Sequence, residues 1–121
     1  MEKVTLADAF ESIEEYWDPR IADECNGQAV KLARVDGEFV WHRHDDADEL
    51  FLVSRGELRI EFREREDVTL DEGELLVVPR GIEHRPIAEE ETRILLFEPA
   101  ETYNTGNVEN ERTRTDPERI E

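Results

Sequence analysis

The sequence predicts an all-β domain, a barrel or a sandwich, with one short helix before it and a polar arm after it. Three observations carry this expectation. Apolar residues alternate with polar ones along much of the stretch from about Val30 to Phe97, which is the pattern of strands with one wet face. Turn residues interrupt that stretch about every 8 to 12 residues. The chain has 121 residues, enough to bury one core but too few for two. Its 40% charged and 37% hydrophobic content would suit a disordered chain, but the sustained alternation argues against that.

Each element has its own signal. Leu6, Phe10, Ile13 and Trp17 recur at helical spacing, so residues 1–18 are expected to hold a helix packed on the barrel. Thr5 and Asp8 resemble a capping box at its start, and Asp18-Pro19 ends it. Residues 19–100 form the expected barrel. Gln28 to Val35 reads as a strand, Asp36-Gly37 as a hairpin turn, and Glu38 to His42 as the returning strand. Glu49 to Val53 is the next strand, closed by Arg55-Gly56. Leu58, Ile60 and Phe62 alternate with Glu57, Arg59, Glu61 and Arg63 in a half-buried strand. Val68 to Leu70 is short and ends at Asp71-Glu72-Gly73. Leu75 to Val78 reads as a buried strand ended by Pro79-Arg80-Gly81, and Thr92 to Phe97 as the last clear one. Residues 101–121 are polar and read as an extended arm or a loose tail.

Charge narrows the partners. The chain carries 33 acidic against 15 basic residues, a formal charge of -18, which repels nucleic acid and anionic membranes. A solvated surface adapted to high salt would produce this balance, and so would an acidic face that meets a basic partner. The acids are spread along the whole chain, which favours the first. Unchanged stability on dialysis from molar to millimolar salt would contradict it. Cys25 is the only cysteine, so neither an internal disulfide nor a cysteine-based zinc cluster is expected. Met1 to Val4 lacks a basic-then-apolar leader pattern. The longest aliphatic run, Leu75 to Val78, is far too short to span a bilayer. The expected location is cytoplasmic.

The chain has three histidines. His42 and His44 are two apart, so on an extended segment both point to one face. Glu49 follows a polar bend and begins the next strand, where it can add a carboxylate. His84 lies just past Pro79-Arg80-Gly81. Any one of these residues is unremarkable alone: a His-x-His pair is usually a surface feature, and one more glutamate in so acidic a chain means little. Together, imidazole and carboxylate suit a borderline divalent transition metal.

The frame around them sharpens this. Gly37 to Gly56 reads Gly-Glu-Phe-Val-Trp-His-Arg-His-Asp-Asp-Ala-Asp-Glu-Leu-Phe-Leu-Val-Ser-Arg-Gly. It resembles the first cupin motif, with its glycine, paired His-x-His, glutamate and closing glycine. Gly73 to His84 reads Gly-Glu-Leu-Leu-Val-Val-Pro-Arg-Gly-Ile-Glu-His. It resembles the second motif, in which Pro-x-Gly precedes the histidine. Gly37 stands one residue closer to His42 than is usual, and Ala88 stands where an Asn often closes the second motif. The resemblance to small single-domain cupins implies a jelly-roll β-barrel, an interior metal held by His42, His44, Glu49 and His84, and often a homodimer.

Three neutral imidazoles and one carboxylate around a dication leave about one positive charge and, at octahedral coordination, about two open positions. Iron, manganese, nickel and zinc all accept these donors. Alternation places Val40, Phe51 and Pro86 beside the ligands, with Trp41 and Arg43 pointing away. Arg80, with Arg85, could meet an anionic substrate or simply pair with surface acids. Cupins include oxygenases, isomerases and non-enzymatic binders. The expected function is therefore a small metalloenzyme of oxygenase or isomerase type acting on an oxygen-rich small molecule. The alternatives are a metal-dependent binding or sensing module without turnover, and a chain whose arm packs on a second copy while the metal stabilises the barrel.

Overall fold

The computed structural model describes residues 1–102, 104–108, 113 and 117–120. The parts of the expected arm at 103, 109–112, 114–116 and 121 lie outside the described residues. The elements are a helix α1 (Leu6–Glu11) and seven strands: β1 (Arg20–Cys25), β2 (Gln28–Glu38), β3 (Glu49–Arg55), β4 (Glu57–Phe62), β5 (Val68–Asp71), β6 (Leu75–Val78) and β7 (His84–Pro99). All strand pairs are antiparallel. Hydrogen bonding follows the order β1-β2-β7-β3-β6, with β4 joining β7 to β5.

β7 organises the fold. Its first residues, His84 to Ile87, pair with β4, and its later ones, Arg93 to Phe97, pair with β3. β2 runs beside it over nearly its whole length. One long strand thus serves both layers, and the inward side chains close over a single core of Val35, Phe51, Val53, Leu58, Ile60, Leu70, Val78 and Ile94 with their neighbours. The all-β barrel expected from alternation and from the cupin resemblance is the observed architecture.

Several local expectations differ. Asp36-Gly37 is not a hairpin turn. β2 continues through it, with a register shift between Val35 and Gly37, and Gly37 and Glu38 still pair with Ala88 and Ile87. Gly37 takes φ +85°, the left-handed conformation that a bulge needs and glycine adopts without strain. Residues 39–41 are irregular, and His42 makes an isolated bridge to His84.

The helix ends at Glu11, so Trp17 is not on it. Thr5 is its N-cap residue but makes no side-chain cap bond. Leu6 is largely exposed, while Ala9, Phe10 and Ile13 pack with Leu32 on the outer face of the sheet. Leu75 to Val78 is not buried throughout. β6 ends the pairing order, and Leu75 and Val77 face outward, 54% and 44% exposed. Alternation cannot be read from four consecutive aliphatic residues, so only the structure separates the two faces. β1 has no counterpart among the expected strands. It pairs with β2 on one side, and on the other Ile21 N donates to Glu118 O while Ile21 O accepts from Ile120 N. No helix among the described residues is long and apolar enough to cross a membrane.

Candidate metal centre

Two backbone bonds create the site. His42 N donates to His84 O at 3.0 Å, and His84 N donates to His42 O at 2.9 Å. This antiparallel bridge sets both imidazoles side by side, with ring centroids 4.4 Å apart. His44 lies two residues on, its ring 5.1 Å from that of His42. Its carbonyl accepts a bond from Gly81 N at 2.8 Å, which ties the second motif to the first. Glu49 opens β3, pairs with Val78, and turns its carboxylate inward. Its Oε1 lies 3.2 Å from His44 Nε2 and 3.5 Å from His84 Nε2.

One ligand atom from each of His42, His44, Glu49 and His84 lies within 4.8 Å of the others, and all four residues are buried. A first-row ion bound at about 2.1 Å puts opposite donors about 4.2 Å apart, so the spacing suits one ion. The hydrogen bonds agree. His42 Nδ1 bonds Val40 O at 2.9 Å, and His84 Nδ1 bonds Ile82 O at 2.8 Å. With Nδ1 donating to these carbonyls, each Nε2 lone pair faces the centre. His44 Nε2, His84 Nε2 and Glu49 Oε1 are buried without a hydrogen-bond partner. Buried polar atoms are rarely left so, and a cation between them would satisfy all three. The residues fit a divalent metal.

Electrostatics point the same way. Burial, reinforced by His84, lowers His42 to about 4, so this imidazole is neutral at pH 7 and able to ligate. Burial alone would raise Glu49, but the His44 and His84 imidazoles, with Glu98, hold it well below the usual carboxylate range. Burial, then the facing Glu49 carboxylate, pushes Glu98 well above that range despite the opposing pull of Lys31.

A cavity of about 30 Å³ adjoins His42 and Glu49. Phe51 and Pro86 line it, with Trp17, Phe39, Ile94 and Leu96 among its other walls. Val40 does not line it. It packs partly buried against the main core, because the chain leaves strand geometry after Glu38 and Phe39 takes the inward place. Phe39 stacks on Trp17 at 4.8 Å and meets the His42 ring edge-on. Arg80 is exposed and held by Asp48, with Nε 3.5 Å from Oδ1. Arg85 pairs with Glu61 and Glu38, and the Arg63 and Arg85 guanidiniums lie 3.9 Å and 5.1 Å from the Trp41 ring centroid.

Five contributors to the site carry no distinct signal in the sequence. Lys31 and Glu98 form an ion pair at 3.0 Å, both side chains fully buried. Their strand parity, shared with Ala33 and Val35 on β2 and with Ile94 and Leu96 on β7, was the available signal. Asn104 lines the cavity. Gly106 lies against the His42–Arg43 segment, where a methyl group would run into the Arg43 carbonyl and the His42 ring. Asn107 fixes this contact, its backbone N donating to Arg43 O at 2.9 Å and its Oδ1 accepting from Arg43 N at 2.8 Å.

A β-barrel with paired strand histidines, a carboxylate and a third histidine at one interior point defines a class, and comparison places the chain in it. The sequence model for the cupin domain matches residues 30–111, and the chain belongs to the cupin family. It is similar to a cupin-2 domain containing protein from Shewanella frigidimarina, at 45% identity and a TM-score of 0.77, over 79% of this chain and 93% of that one. A protein from Neisseria meningitidis is 31% identical with a TM-score of 0.74, over 81% of this chain and 99% of that one. The uncharacterized protein YdbB of Bacillus subtilis is 45% identical over 62 residues, which span 51% of this chain and 55% of YdbB.

Proposed function

We propose that this cupin holds one divalent transition metal with His42, His44, Glu49 and His84 and acts as a small metalloenzyme of the oxygenase or isomerase type. The carrying observation is the convergence of these four donors with buried, unpartnered Nε2 and Oε1 atoms. When bound, the metal would supply Lewis acidity and open positions for oxygen donors. The chain's own residues orient the ligands through the Val40 and Ile82 carbonyls and exclude water with Trp17, Phe39, Phe51 and Pro86.

The cavity favours the oxygenase side of this reading. Apart from the ligands, Asn104 and the Trp17 indole, which already donates to Asp36 O, the described lining residues are apolar, whereas a polyhydroxylated sugar needs several hydrogen-bonding partners. The fitting substrate binds the metal through one or two oxygens and turns an apolar body to the wall. Arg80 and Arg85 are occupied by acids, which favours an uncharged molecule. The small free volume, about 30 Å³, favours the second reading, a binding or sensing module without turnover.

Oxygen uptake separates the two. Protein reconstituted anaerobically with Fe(II) is mixed with a panel of small neutral hydroxy and keto compounds in an oxygen electrode. Uptake stoichiometric with product supports an oxygenase. Tight binding with neither oxygen uptake nor product supports the sensing module.

A further inference from the structure

One edge of the main sheet is open. β6 ends the pairing order and, among the described residues, pairs only with β3. The opposite end of the order differs, because the backbone at Glu118 and Ile120 covers β1 at Ile21. β5 also pairs on one side only, but it carries Thr69 and Asp71. β6 reads Leu75-Leu76-Val77-Val78. It has neither the charge nor the proline with which proteins usually blunt an edge strand. In a chain with 40% charged residues, four uncharged residues on an open edge mark a surface that something covers.

The ladder gives the direction of the unused backbone groups. Val53 N donates to Glu74 O at 3.0 Å, and from there Leu52 pairs with Leu75, Phe51 with Leu76 and Leu50 with Val77. Bonded and non-bonded pairs alternate in an antiparallel ladder. Leu76 therefore bonds to β3, while the N–H and C=O of Leu75 and Val77 point to the open side. These two residues also have the exposed side chains of the strand. On the outer face they continue an apolar strip, with Leu50 and Leu52 beside them on β3 and Phe97 and Leu95 beyond on β7. Phe10 and Ile13 cover the far end of the strip, at Leu95, and leave the β6 end bare.

We propose that β6 is the contact between two copies of this chain, paired antiparallel across a two-fold axis at Leu76. In that register Leu75 exchanges backbone bonds with the partner's Val77, and symmetry repeats the exchange. The two apolar strips then join into one. Charge selects a second copy as the occupant. Asp71, Glu72 and Glu74 precede the aliphatic run, and Arg80 follows it. Antiparallel pairing about Leu76 sets Glu72 across from the partner's Arg80 on both sides of the axis. Arg80 is available for this, since its side chain remains 64% exposed beside Asp48. A two-fold contact of this kind is self-complementary and closes at the dimer.

Sedimentation equilibrium of the full chain over a range of concentrations tests the pairing, beside amide hydrogen exchange. Physiological salt is the right medium. Its Debye length of about 8 Å screens the distant acids of the two copies but not a direct Glu72–Arg80 contact. A reversible dimer is expected, with exchange at Leu75 and Val77 slowing as the dimer forms. Leu75→Pro removes one outward N–H at the first position of an edge strand, where proline is tolerated. Val77→Lys puts a charge on an exposed side chain. Both variants are expected to keep their circular dichroism and cooperative unfolding and to weaken the dimer about tenfold or more. Glu72→Arg and Arg80→Glu should each weaken it, and the two together should restore it. A wild type that stays monomeric overturns the proposal. So does a dimer that survives both Leu75→Pro and Val77→Lys, or one in which the Leu75 and Val77 amides exchange at the monomer's rate. A charge-swapped double variant as weak as the single ones overturns the register.

Discussion

The two faces of β2 and β7 bury opposite kinds of residue. Outward, Leu32 and Leu95 pack under Phe10 and Ile13 of the N-terminal segment, and the cluster is wholly apolar. Inward, the same strands carry Lys31 and Glu98 among Ala33, Val35, Ile94 and Leu96, beside four converging donors. The outer cluster is complete in itself. The inner one holds unpartnered Nε2 and Oε1 atoms, which a bound cation would satisfy. If it binds one, stability and function divide between the two sides of one sheet, and each side should be open to perturbation without the other.

The largest separation is expected from the outer face. Phe10 is 1% exposed, and Phe10→Ala should cost about 3–5 kcal/mol of folding stability, read by urea unfolding of the metal-free protein. Co(II) affinity of the folded variant should not change. A large loss of affinity would join the two faces and break the comparison. Chelation tests the inner face. Metal at about a thousand times its Kd should stabilise the protein by about 4 kcal/mol, and removing it with a chelator should lower Tm correspondingly. A Tm indifferent to metal would mean that the orphaned donors bind nothing.

Acid sharpens the account further. His42 is depressed from 6.5 to about 4. Its contribution is therefore present above pH 6.5 and lost as pH falls, because the unfolded chain takes up a proton that the folded one refuses. Glu98 is raised above 4.5, so its contribution is present below pH 4.5 and lost as pH rises. Between those limits the two slopes have opposite signs in the metal-free wild type. Glu98→Gln removes one of them. That variant should lose about 2 kcal/mol between pH 6.5 and 4.5, as urea titrations at several pH values would record. Gly106 sits at φ +57° against the His42 ring, and a Cβ there would overlap the Arg43 carbonyl oxygen. Gly106→Ala should therefore cost more than the about 1–2 kcal/mol of the left-handed conformation alone and weaken Co(II) binding, since the added methyl pushes on His42 and Arg43. Unchanged affinity would mean that this contact does not seat His42.

Legibility in the sequence follows the same division. His42, His44, Glu49 and His84 could be picked out because a metal needs several donors at short range, and glycine and proline frames fix their spacing. The strand from Glu57 to Phe62 is legible by alternation, and those beginning at Glu49, Val68 and Leu75 by the turn residues that close them. Asp36-Gly37 misled because a glycine with positive φ serves a hairpin and a bulge equally well. The deciding partner, β7, lies about fifty residues away in sequence. Trp17 continued the helical spacing by coincidence, while its indole instead donates to Asp36 O at 2.8 Å. Lys31 and Glu98 had inward parity, but a single glutamate among 33 acids carries no signal of its own. Only the β3–β7 register shows what it faces.

The most direct measurement is elemental analysis of protein purified anaerobically, beside His84→Ala prepared in the same way. The expected result is one equivalent of a divalent transition metal in the wild type, and a folded His84→Ala barrel that has lost it. Stoichiometric metal retained in His84→Ala, or none in the wild type even after titration with metal, would contradict the four-residue centre.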